Sequence, residues 1–143
     1  MPGKIIRIVI DTNIWISFLI GKTLAGLSEA IINNNVIILF STDLFDELIE
    51  VLQRPKFTKY FSQENIQEFV SLIHSKVEWI ETNKHFDDCR DPKDNFLLDL
   101  CVSGNADYLI SGDEDLLTLN SFGRTKIINY RKFQEVLDKI KSQ

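Results

Sequence analysis

Short apolar runs rich in β-branched residues recur along the chain, and segments with helical spacing of apolar positions separate them. The apolar runs lie at 4–10, 36–40, 77–80, 108–111 and 126–129. Each has the length and composition of a buried strand, and strands this apolar are typical of parallel sheets that helices cover on both faces. We therefore predict an α/β fold with a five-stranded parallel sheet, in a single domain over residues 1–143.

The segments between these strands predict the helices. They are two pieces within 14–33, then 43–53, 63–74, 92–103 and 130–141. Candidate N-cap residues precede three of these helices. Ser41, Thr42 and Asp43 are candidates for the helix at 43–53, and Ser62 for the helix at 63–74. Asp91 is the candidate for the helix at 92–103, with Pro92 at the first helical position. The alternation of strands and helices again favours a parallel sheet.

Several single residues are predicted to have structural roles. Trp15 and Trp79 lie within apolar runs, which favours core positions over platforms for base stacking. Cys89 and Cys101 are too few and too far apart for a disulfide framework or a zinc site, so we expect reduced, inert thiols. His74 and His85 have no partner at ligand spacing and are predicted to lie on the surface or at a helix end.

The chain carries 16 Lys and Arg residues against 21 Asp and Glu residues, a net charge of −5. This balance excludes a protein that coats DNA through a broad basic surface. The longest nearly unbroken apolar run, at 14–20, is too short to span a membrane, and the N-terminus lacks the pattern of a signal peptide. We therefore expect a soluble cytoplasmic protein without a membrane partner.

Four acidic residues come to one edge of the predicted sheet through the order of the elements. Asp11 follows the first strand, and Glu47 lies in the first turns of the helix after the second strand. Asp94 lies in the first turn of the helix before the fourth strand, and Asp113 follows that strand. Ligands of parallel α/β sheets collect at the carboxyl ends of the strands, so these acids form a candidate site.

Helical geometry places two of the acids relative to the core. Asp94 falls on the apolar stripe of its helix and is predicted to face inward, whereas Asp99 is predicted to point to the opposite face. Glu47 flanks the apolar stripe of its own helix and is the acid of that helix nearest the core.

Carboxylates that share one place repel each other, so a cation is expected between them. None of the four positions holds His or Cys, and an all-oxygen set favours Mg²⁺ or Mn²⁺ over zinc. Such ions activate water and stabilise charge that develops on a phosphate oxygen. The acids therefore predict hydrolysis of a phosphodiester by metal-activated water.

Structural roles compete with this interpretation at individual acids. Asp91 is more readily a helix cap than a ligand, whereas Asp115 suits an accessory ligand and a cap of the next helical turn equally well. Glu47, taken alone, would suit a solvated helix position. The coincidence of four acids, and not any single residue, favours the functional interpretation.

At these residues the sequence resembles PIN-domain proteins, in particular bacterial and archaeal toxin components of toxin–antitoxin systems related to VapC. The resemblance rests on VIDTN at 9–13, ELIEVLQRPKF at 47–57, RDPKDN at 90–95 and ADYLISGDEDLL at 106–117. It implies a three-layer α/β/α sandwich with a central parallel sheet. It also implies an endoribonuclease that depends on Mg²⁺ or Mn²⁺ and acts on RNA.

The resemblance also implies roles for individual residues. The acidic catalytic set would be Asp11, Glu47, Asp94 and Asp113. The metal ligands would come from Asp11, Asp94, Asp113 and Asp115, with Asn13 and Ser111 as supporting polar residues. The group further implies a homodimer and a small antitoxin protein that inserts a segment across the acidic groove.

The stretch 54–61 departs from a minimal toxin of this group because it mixes cations with aromatic residues. Arg54, Lys56 and Lys59 are candidate contacts to RNA phosphates beside stacking aromatic rings. The stretch equally resembles a core-packing connection whose lysines extend to solvent, and we favour that interpretation.

Three other functional classes fit less well. A haloacid-dehalogenase-type phosphatase would carry a second Asp where Asn13 stands, and a receiver domain would carry an acidic pair where Val9 and Ile10 stand. A PIN-fold protein that only binds a partner would be expected to have lost at least one acid, and all four are present. A PIN-fold protein that acts in RNA processing or partner binding without a toxin role is the alternative we retain.

Overall fold

A six-stranded sheet forms the centre of the molecule. The computed structural model describes residues 5–21, 33, 35–82 and 92–141. The strands are β1 (Ile6–Ile10), β2 (Val36–Phe40), β3 (Val77–Trp79), β4 (Tyr108–Ile110), β5 (Ser121–Phe122) and β6 (Thr125–Ile128). They lie in the order β3-β2-β1-β4-β6-β5, and every neighbouring pair is parallel except β5 with β6.

Helices flank this sheet, as expected for an α/β fold. They are α1 (Thr12–Gly21), α2 (Thr42–Leu52), α3 (Gln63–Lys76), α4 (Pro92–Ser103), α5 (Glu114–Leu119) and α6 (Tyr130–Lys141). A single 3₁₀ turn at Pro55–Phe57 follows α2. Within the described ranges no helix has the length and apolar character needed to cross a bilayer.

The predicted α/β fold and its five parallel strands are confirmed, but the sheet has a sixth strand that the sequence pattern missed. β5 pairs antiparallel with β6 through the two-residue loop Gly123–Arg124. Gly123 has a positive φ of 59°, which suits the first loop position of a tight hairpin. A strand of two residues is too short to give a periodic signal, which is why the pattern did not predict it.

Helix boundaries agree closely with the caps that the sequence indicated. Ser41 is the N-cap of α2, where its hydroxyl accepts a hydrogen bond from the Leu44 amide. Ser62 forms a capping box with Asn65 at the start of α3. The second helical piece predicted within 14–33, the cap at Asp91, the thiol of Cys89 and His85 lie outside the described residues.

The core covers both faces of the parallel strands and confirms one of the two tryptophan predictions. Trp15 is fully buried, and its ring lies 5.8 Å from the ring of Phe40 and 5.6 Å from that of Phe69. Trp79 was predicted to be a core residue, and this is wrong, because its side chain is 40% exposed. Trp79 belongs to β3, an outer strand of the sheet, beyond which the described part of the chain adds no further strand.

The prediction for Asp99 is also wrong. Asp99 was expected on the outer face of α4, but only 4% of the residue is exposed. Its neighbours Leu98 and Leu100 are fully buried, so α4 is enclosed around most of its circumference. Most described residues of α4 are buried, so an apolar stripe does not mark which side of this helix is buried.

Cys101 on α4 is free and buried, in agreement with its predicted inert role. Burial raises the pKa of its thiol to about 12, and a weaker hydrogen bond with Thr125 opposes that shift. The thiol is therefore neutral at physiological pH and lacks the thiolate that reactive cysteines need.

Arg7 on β1 connects three parts of the amino-terminal edge of the sheet. Its guanidinium donates to the Gly104 carbonyl at 2.7 Å and forms an ion pair with Glu78 on β3. The hydrogen bond from Arg7 lowers the pKa of the Glu78 carboxyl below its ordinary value. The pair is partly exposed, so its contribution to stability is modest.

The carboxyl end of α4 closes through a Schellman motif. The Asn105 amide donates to the Val102 carbonyl, and the Ala106 amide donates to the Cys101 carbonyl. Asn105 adopts a positive φ of 53°, the left-handed conformation that this motif requires. The motif turns the chain directly from α4 into β4.

Gly104 within this closure has no room for a side chain. An added Cβ would lie 2.7 Å from Leu39 Cδ1 and 3.1 Å from the Leu100 carbonyl oxygen. We predict that Gly104→Ala lowers the free energy of unfolding by about 1–3 kcal/mol, as overpacking does elsewhere. Urea denaturation measures this change.

Gly112→Ala is the matched control, because an added Cβ there meets no heavy atom within 4 Å. We expect this variant to stay within about 0.5 kcal/mol of the parent protein. Equal losses of stability in the two variants would contradict the packing argument.

Candidate functional site

The site lies at the topological switch point of the sheet, between β1 and β4. The chain leaves β1 towards β2 on one side, whereas β4 pairs with β1 on the other side. Such a reversal opens a crevice at the carboxyl ends of the two strands, where ligands of parallel α/β sheets bind. Ile10 and Ile110 are register partners at these ends, so Asp11 and Ser111 leave the sheet side by side.

Asp11 is held in place by its backbone and by its side chain. Its amide donates to the Ile110 carbonyl at 2.9 Å, and its own carbonyl accepts from the Ile14 and Trp15 amides at the start of α1. Its carboxylate oxygen Oδ2 accepts a hydrogen bond of 2.7 Å from Ser111 Oγ. Asp11 is 6% exposed and Ser111 is fully buried, so the orientation of this carboxylate is fixed.

Ser111 links Asp11 to Asp113 through its hydroxyl. The Oγ atom that donates to Asp11 also accepts a hydrogen bond of 3.0 Å from the Asp113 amide. Both interactions of this hydroxyl are buried or partly buried. A residue predicted only as a supporting polar group thus joins two of the predicted acids.

Asp113 caps α5. Its Oδ1 atom accepts hydrogen bonds from the Asp115 amide at 2.8 Å and the Leu116 amide at 3.3 Å. One alternative for Asp115 was that it caps this helical turn, and that is wrong, because Asp113 is the cap. Asp115 is exposed within the first turn of α5, and its role as an accessory metal ligand stays a prediction.

Asp94 is the most deeply buried of the predicted acids. It lies in the first turn of α4 and is 1% exposed, which confirms that it faces inward. A buried carboxylate is costly unless its surroundings supply positive charge or hydrogen bonds. Together with Asp11 it gives the site two buried carboxylates.

Glu47 and Asn13 lie at the same edge of the sheet but closer to solvent. Glu47 is half-buried on α2, the helix that begins at the carboxyl end of β2. Its predicted position beside the apolar stripe is confirmed, because Leu44 and Leu48 on that stripe are fully buried. Asn13 is exposed in the first turn of α1, two residues after Asp11.

The predicted cations lie away from this edge. Arg54 forms an ion pair with Glu50 at 2.9 Å, and Lys56 and Lys59 each lie 5.1 Å from the ring centre of the following aromatic residue. They follow the carboxyl end of α2, whose 11 residues span about 16 Å from the acidic edge at 1.5 Å per residue. Phe57 and Phe61 pack against the core, as in the favoured core-packing interpretation of this stretch.

The donor chemistry of the site fits magnesium better than zinc. Within the described ranges, no group of three or more His, Cys, Asp or Glu side chains is close enough to hold a metal ion unaided. Mg²⁺ does not need such a group, since it is usually bound by one or two carboxylates together with water and substrate phosphates. The buried carboxylates of Asp11 and Asp94 match that mode, and a tetrahedral zinc site would need nitrogen or sulfur ligands.

Thr12, which lies between Asp11 and Asn13, was not among the predicted site residues. Thr12 is 3% exposed, and its hydroxyl has no hydrogen-bond partner among the described residues. Leaving a buried hydroxyl unsatisfied costs about 1–3 kcal/mol. Its position directly after a residue at the switch point was the signal that could have marked it.

A family model described as the PIN domain matches residues 7–115 of the chain. An uncharacterized protein of Methanocaldococcus jannaschii is 31% identical over 127 residues, which cover 87% of this chain and 81% of that protein. The matched region of the family model contains all four predicted catalytic acids.

A solved structure has the same fold. It is the crystal structure of VapBC2 from Rickettsia felis bound to a DNA fragment from their promoter. The superposition has a TM-score of 0.57 at 15% identity, and it covers 86% of this chain and 98% of the matched chain. At this level of identity the likeness concerns the fold alone.

Substitutions at Asp113 can separate its role as a helix cap from the charge of its carboxylate. We predict that Asp113→Ala lowers the free energy of unfolding by about 0.5–2 kcal/mol, because the first turn of α5 loses its cap. Asp113→Asn should keep the stability of the parent protein, since an amide oxygen caps equally well. Urea denaturation compares the two, and a large loss in Asp113→Asn would contradict the capping role.

Proposed function

The chain belongs to the PIN-domain family, and from that premise we propose that it is a metal-dependent endoribonuclease that hydrolyses RNA phosphodiester bonds. The observation that carries this proposal is the pair of buried carboxylates, Asp11 and Asp94, near the switch point of the sheet. Two buried acids at a ligand-binding edge are costly for stability, and a catalytic role accounts for their presence.

Asp11 and Asp94 are the residues that would hold Mg²⁺ or Mn²⁺. When bound, such an ion activates water and stabilises the negative charge that develops on the phosphate. The hydrogen bond from Ser111 keeps the Asp11 carboxylate in one orientation, so no reorganisation is needed when substrate binds.

The remaining acids complete the proposed set from the side that faces solvent. Glu47 and Asp113 are half-buried, which lets their carboxylates meet a substrate that enters from solvent. Asp113 keeps its Oδ2 atom for this role while Oδ1 caps α5. Asp115 is proposed as an accessory metal ligand, and the exposed amide of Asn13 as a donor to a substrate phosphate.

The substrate is proposed to be RNA in the cytoplasm. A net charge of −5 gives the protein no broad surface for phosphates, so the metal ion and local patches must supply the attraction. Arg54, Lys56 and Lys59 are proposed as a distant patch of this kind, where a long RNA leaves the acidic edge.

We also propose that the protein is the toxin of a toxin–antitoxin pair. The fold of the chain matches nearly the whole of a chain in the VapBC2 structure from Rickettsia felis. An antitoxin protein that covers the acidic edge, and a homodimer of this chain, are the proposed partners. A PIN-fold protein that processes RNA without a toxin role is the alternative.

We predict that the purified protein cleaves single-stranded RNA when Mg²⁺ or Mn²⁺ is added, and that excess chelator stops cleavage. Asp11→Asn and Asp94→Asn should each reduce the cleavage rate by more than the roughly 10- to 100-fold loss typical of residues one shell away from a metal. Asp113→Asn should also lower the rate while preserving the fold. Gel analysis of end-labelled RNA gives the rates, and circular dichroism checks folding.

Asp46→Asn is the matched control for the loss of an acid. Asp46 is exposed and precedes Glu47 on α2, so the variant should cleave RNA at the parent rate. Cleavage that survives both Asp11→Asn and Asp94→Asn, or that persists in excess chelator, would refute the metal-dependent mechanism.

The toxin proposal predicts that expression of the parent chain arrests bacterial growth and that Asp11→Asn relieves the arrest. Growth curves after induction, with equal protein levels verified on blots, measure this effect. Unaffected growth together with active RNA cleavage in vitro would favour the alternative, an RNA-processing enzyme without a toxin role.

A further inference from the structure

A pocket opens beside the outer strand β3, at the carboxyl edge of the sheet that also carries the acidic residues. It has a volume of about 520 Å³. The residues that line it are Thr42, Asp43, Trp79, Ile80, Glu81 and Thr82. None of these residues belongs to the acidic set described above.

Trp79 provides this pocket with a rigid aromatic surface. Its ring lies 5.5 Å from the ring of Phe45, 5.2 Å from that of His74 and 5.9 Å from that of Phe40. These contacts hold the indole from the side of α2 and α3, yet 40% of the residue stays exposed. An indole held in this way can stack on a flat ligand without losing conformational freedom on binding.

The polar residues around Trp79 select the kind of flat ligand. Asp43 and Glu81 are exposed carboxylates that accept hydrogen bonds and repel phosphate groups. Thr42 and Thr82 add hydroxyl groups that donate or accept. A nucleobase has both the flat face that suits Trp79 and an edge of N–H groups that suits the carboxylates, as in proteins that bind unpaired bases of single-stranded RNA.

Among the bases, guanine matches this arrangement best. It offers the large stacking face of a purine, and its Watson–Crick edge carries a ring N–H group next to an amino group. Adenine and cytosine carry one amino group beside an acceptor ring nitrogen, and uracil offers a smaller face and a single N–H donor. Two acceptor carboxylates beside an indole therefore favour guanine over uracil.

The position of the pocket suits a nucleotide within about three positions of the scissile bond. Trp79 pairs in register with Phe40 on β2, which lies next to β1, so two strand spacings separate β3 from the strand that carries Asp11. At about 4.8 Å per spacing this distance is about 10 Å. That is roughly three nucleotides of a stacked strand at ~3.4 Å each, and fewer of an extended one.

We propose that the pocket around Trp79 is a nucleobase subsite in which one base of a single-stranded RNA, preferentially guanine, stacks on the indole. This inference rests on the proposed ribonuclease function and names a determinant of its substrate choice. The subsite places the RNA across the carboxyl ends of β3, β2 and β1, so that the phosphodiester reaches the acidic edge.

Tryptophan fluorescence tests the subsite without requiring cleavage. The chain has two tryptophans, and Trp15 is fully buried, so a bound base can quench Trp79 by direct stacking. The probes are short oligouridylates, with a single guanosine placed at each position in turn, added to Asp11→Asn protein in Mg²⁺. We expect quenching that saturates, with tighter binding for one guanosine position than for the all-uridine RNA.

Variants show whether Trp79 is responsible for the quenching and for the affinity. Trp79→Ala should weaken binding of the guanosine-containing RNA by about 5- to 100-fold, the range for loss of one base-stacking residue. Trp79→Phe should retain most of the affinity without the quenching signal. Leu119→Ala is the matched control, because Leu119 is a large apolar residue that is 40% exposed like Trp79 and lies outside both the pocket and the stretch 54–61, so this variant should bind RNA like the parent.

The outcomes separate this inference from the nuclease proposal. RNA binding that neither quenches Trp79 nor depends on it, in a protein that cleaves RNA, overturns the subsite and leaves the nuclease intact. Quenching with a guanosine preference, in a protein that cleaves no RNA, supports the subsite and refutes the nuclease. If Trp79→Ala fails to fold, quenching of Trp79 and the affinity of Trp79→Phe decide the question.

Discussion

The parallel pairing of β1 with β4 is the constraint on which the site depends. The register that aligns Ile10 with Ile110 forces Asp11 and Ser111 out of the sheet at neighbouring points. The Ser111 hydroxyl then donates a hydrogen bond of 2.7 Å to the Asp11 carboxylate. The same hydroxyl accepts a hydrogen bond from the Asp113 amide, at the start of the turn into α5. A shift of one residue in this register would turn the side chains to opposite faces and separate these groups.

The carboxylates at this edge of the sheet lower the stability of the folded protein, and packing elsewhere must offset that loss. Asp11 and Asp94 are buried, and Glu47 and Asp113 are half-buried at the same edge. The strands and helices around them are packed with fully buried aliphatic and aromatic residues, and that packing supplies the stability that allows such an arrangement. Two acids outside this edge have ion-pair partners, Glu78 with Arg7 and Asp107 with Arg124.

The sequence predicted most of this arrangement because hydrophobic periodicity and helix caps act locally. Five strands, the helix caps at Ser41 and Ser62 and the inward position of Asp94 follow from patterns of a few residues. The wrong predictions for Trp79 and Asp99 concern residues whose burial depends on tertiary contacts. Trp79 is apolar in pattern but belongs to an outer strand, and Asp99 is polar in pattern but belongs to an enclosed helix. The order of strands and the depth of a helix in the fold are not encoded in any short window.

The acidity of the chain constrains how the proposed RNA substrate would bind. Phosphate contacts usually dominate the affinity of nucleic-acid-binding proteins, but here the carboxyl edge of the sheet is acidic, and the predicted cations lie at the far end of α2. Attraction at the acidic edge must therefore come from a divalent cation and from parts of RNA that carry no charge. Bases are such parts, and an exposed indole flanked by carboxylates suits bases while repelling phosphates. Recognition of bases beside the proposed metal-dependent site is thus the mode of RNA binding that this charge distribution favours.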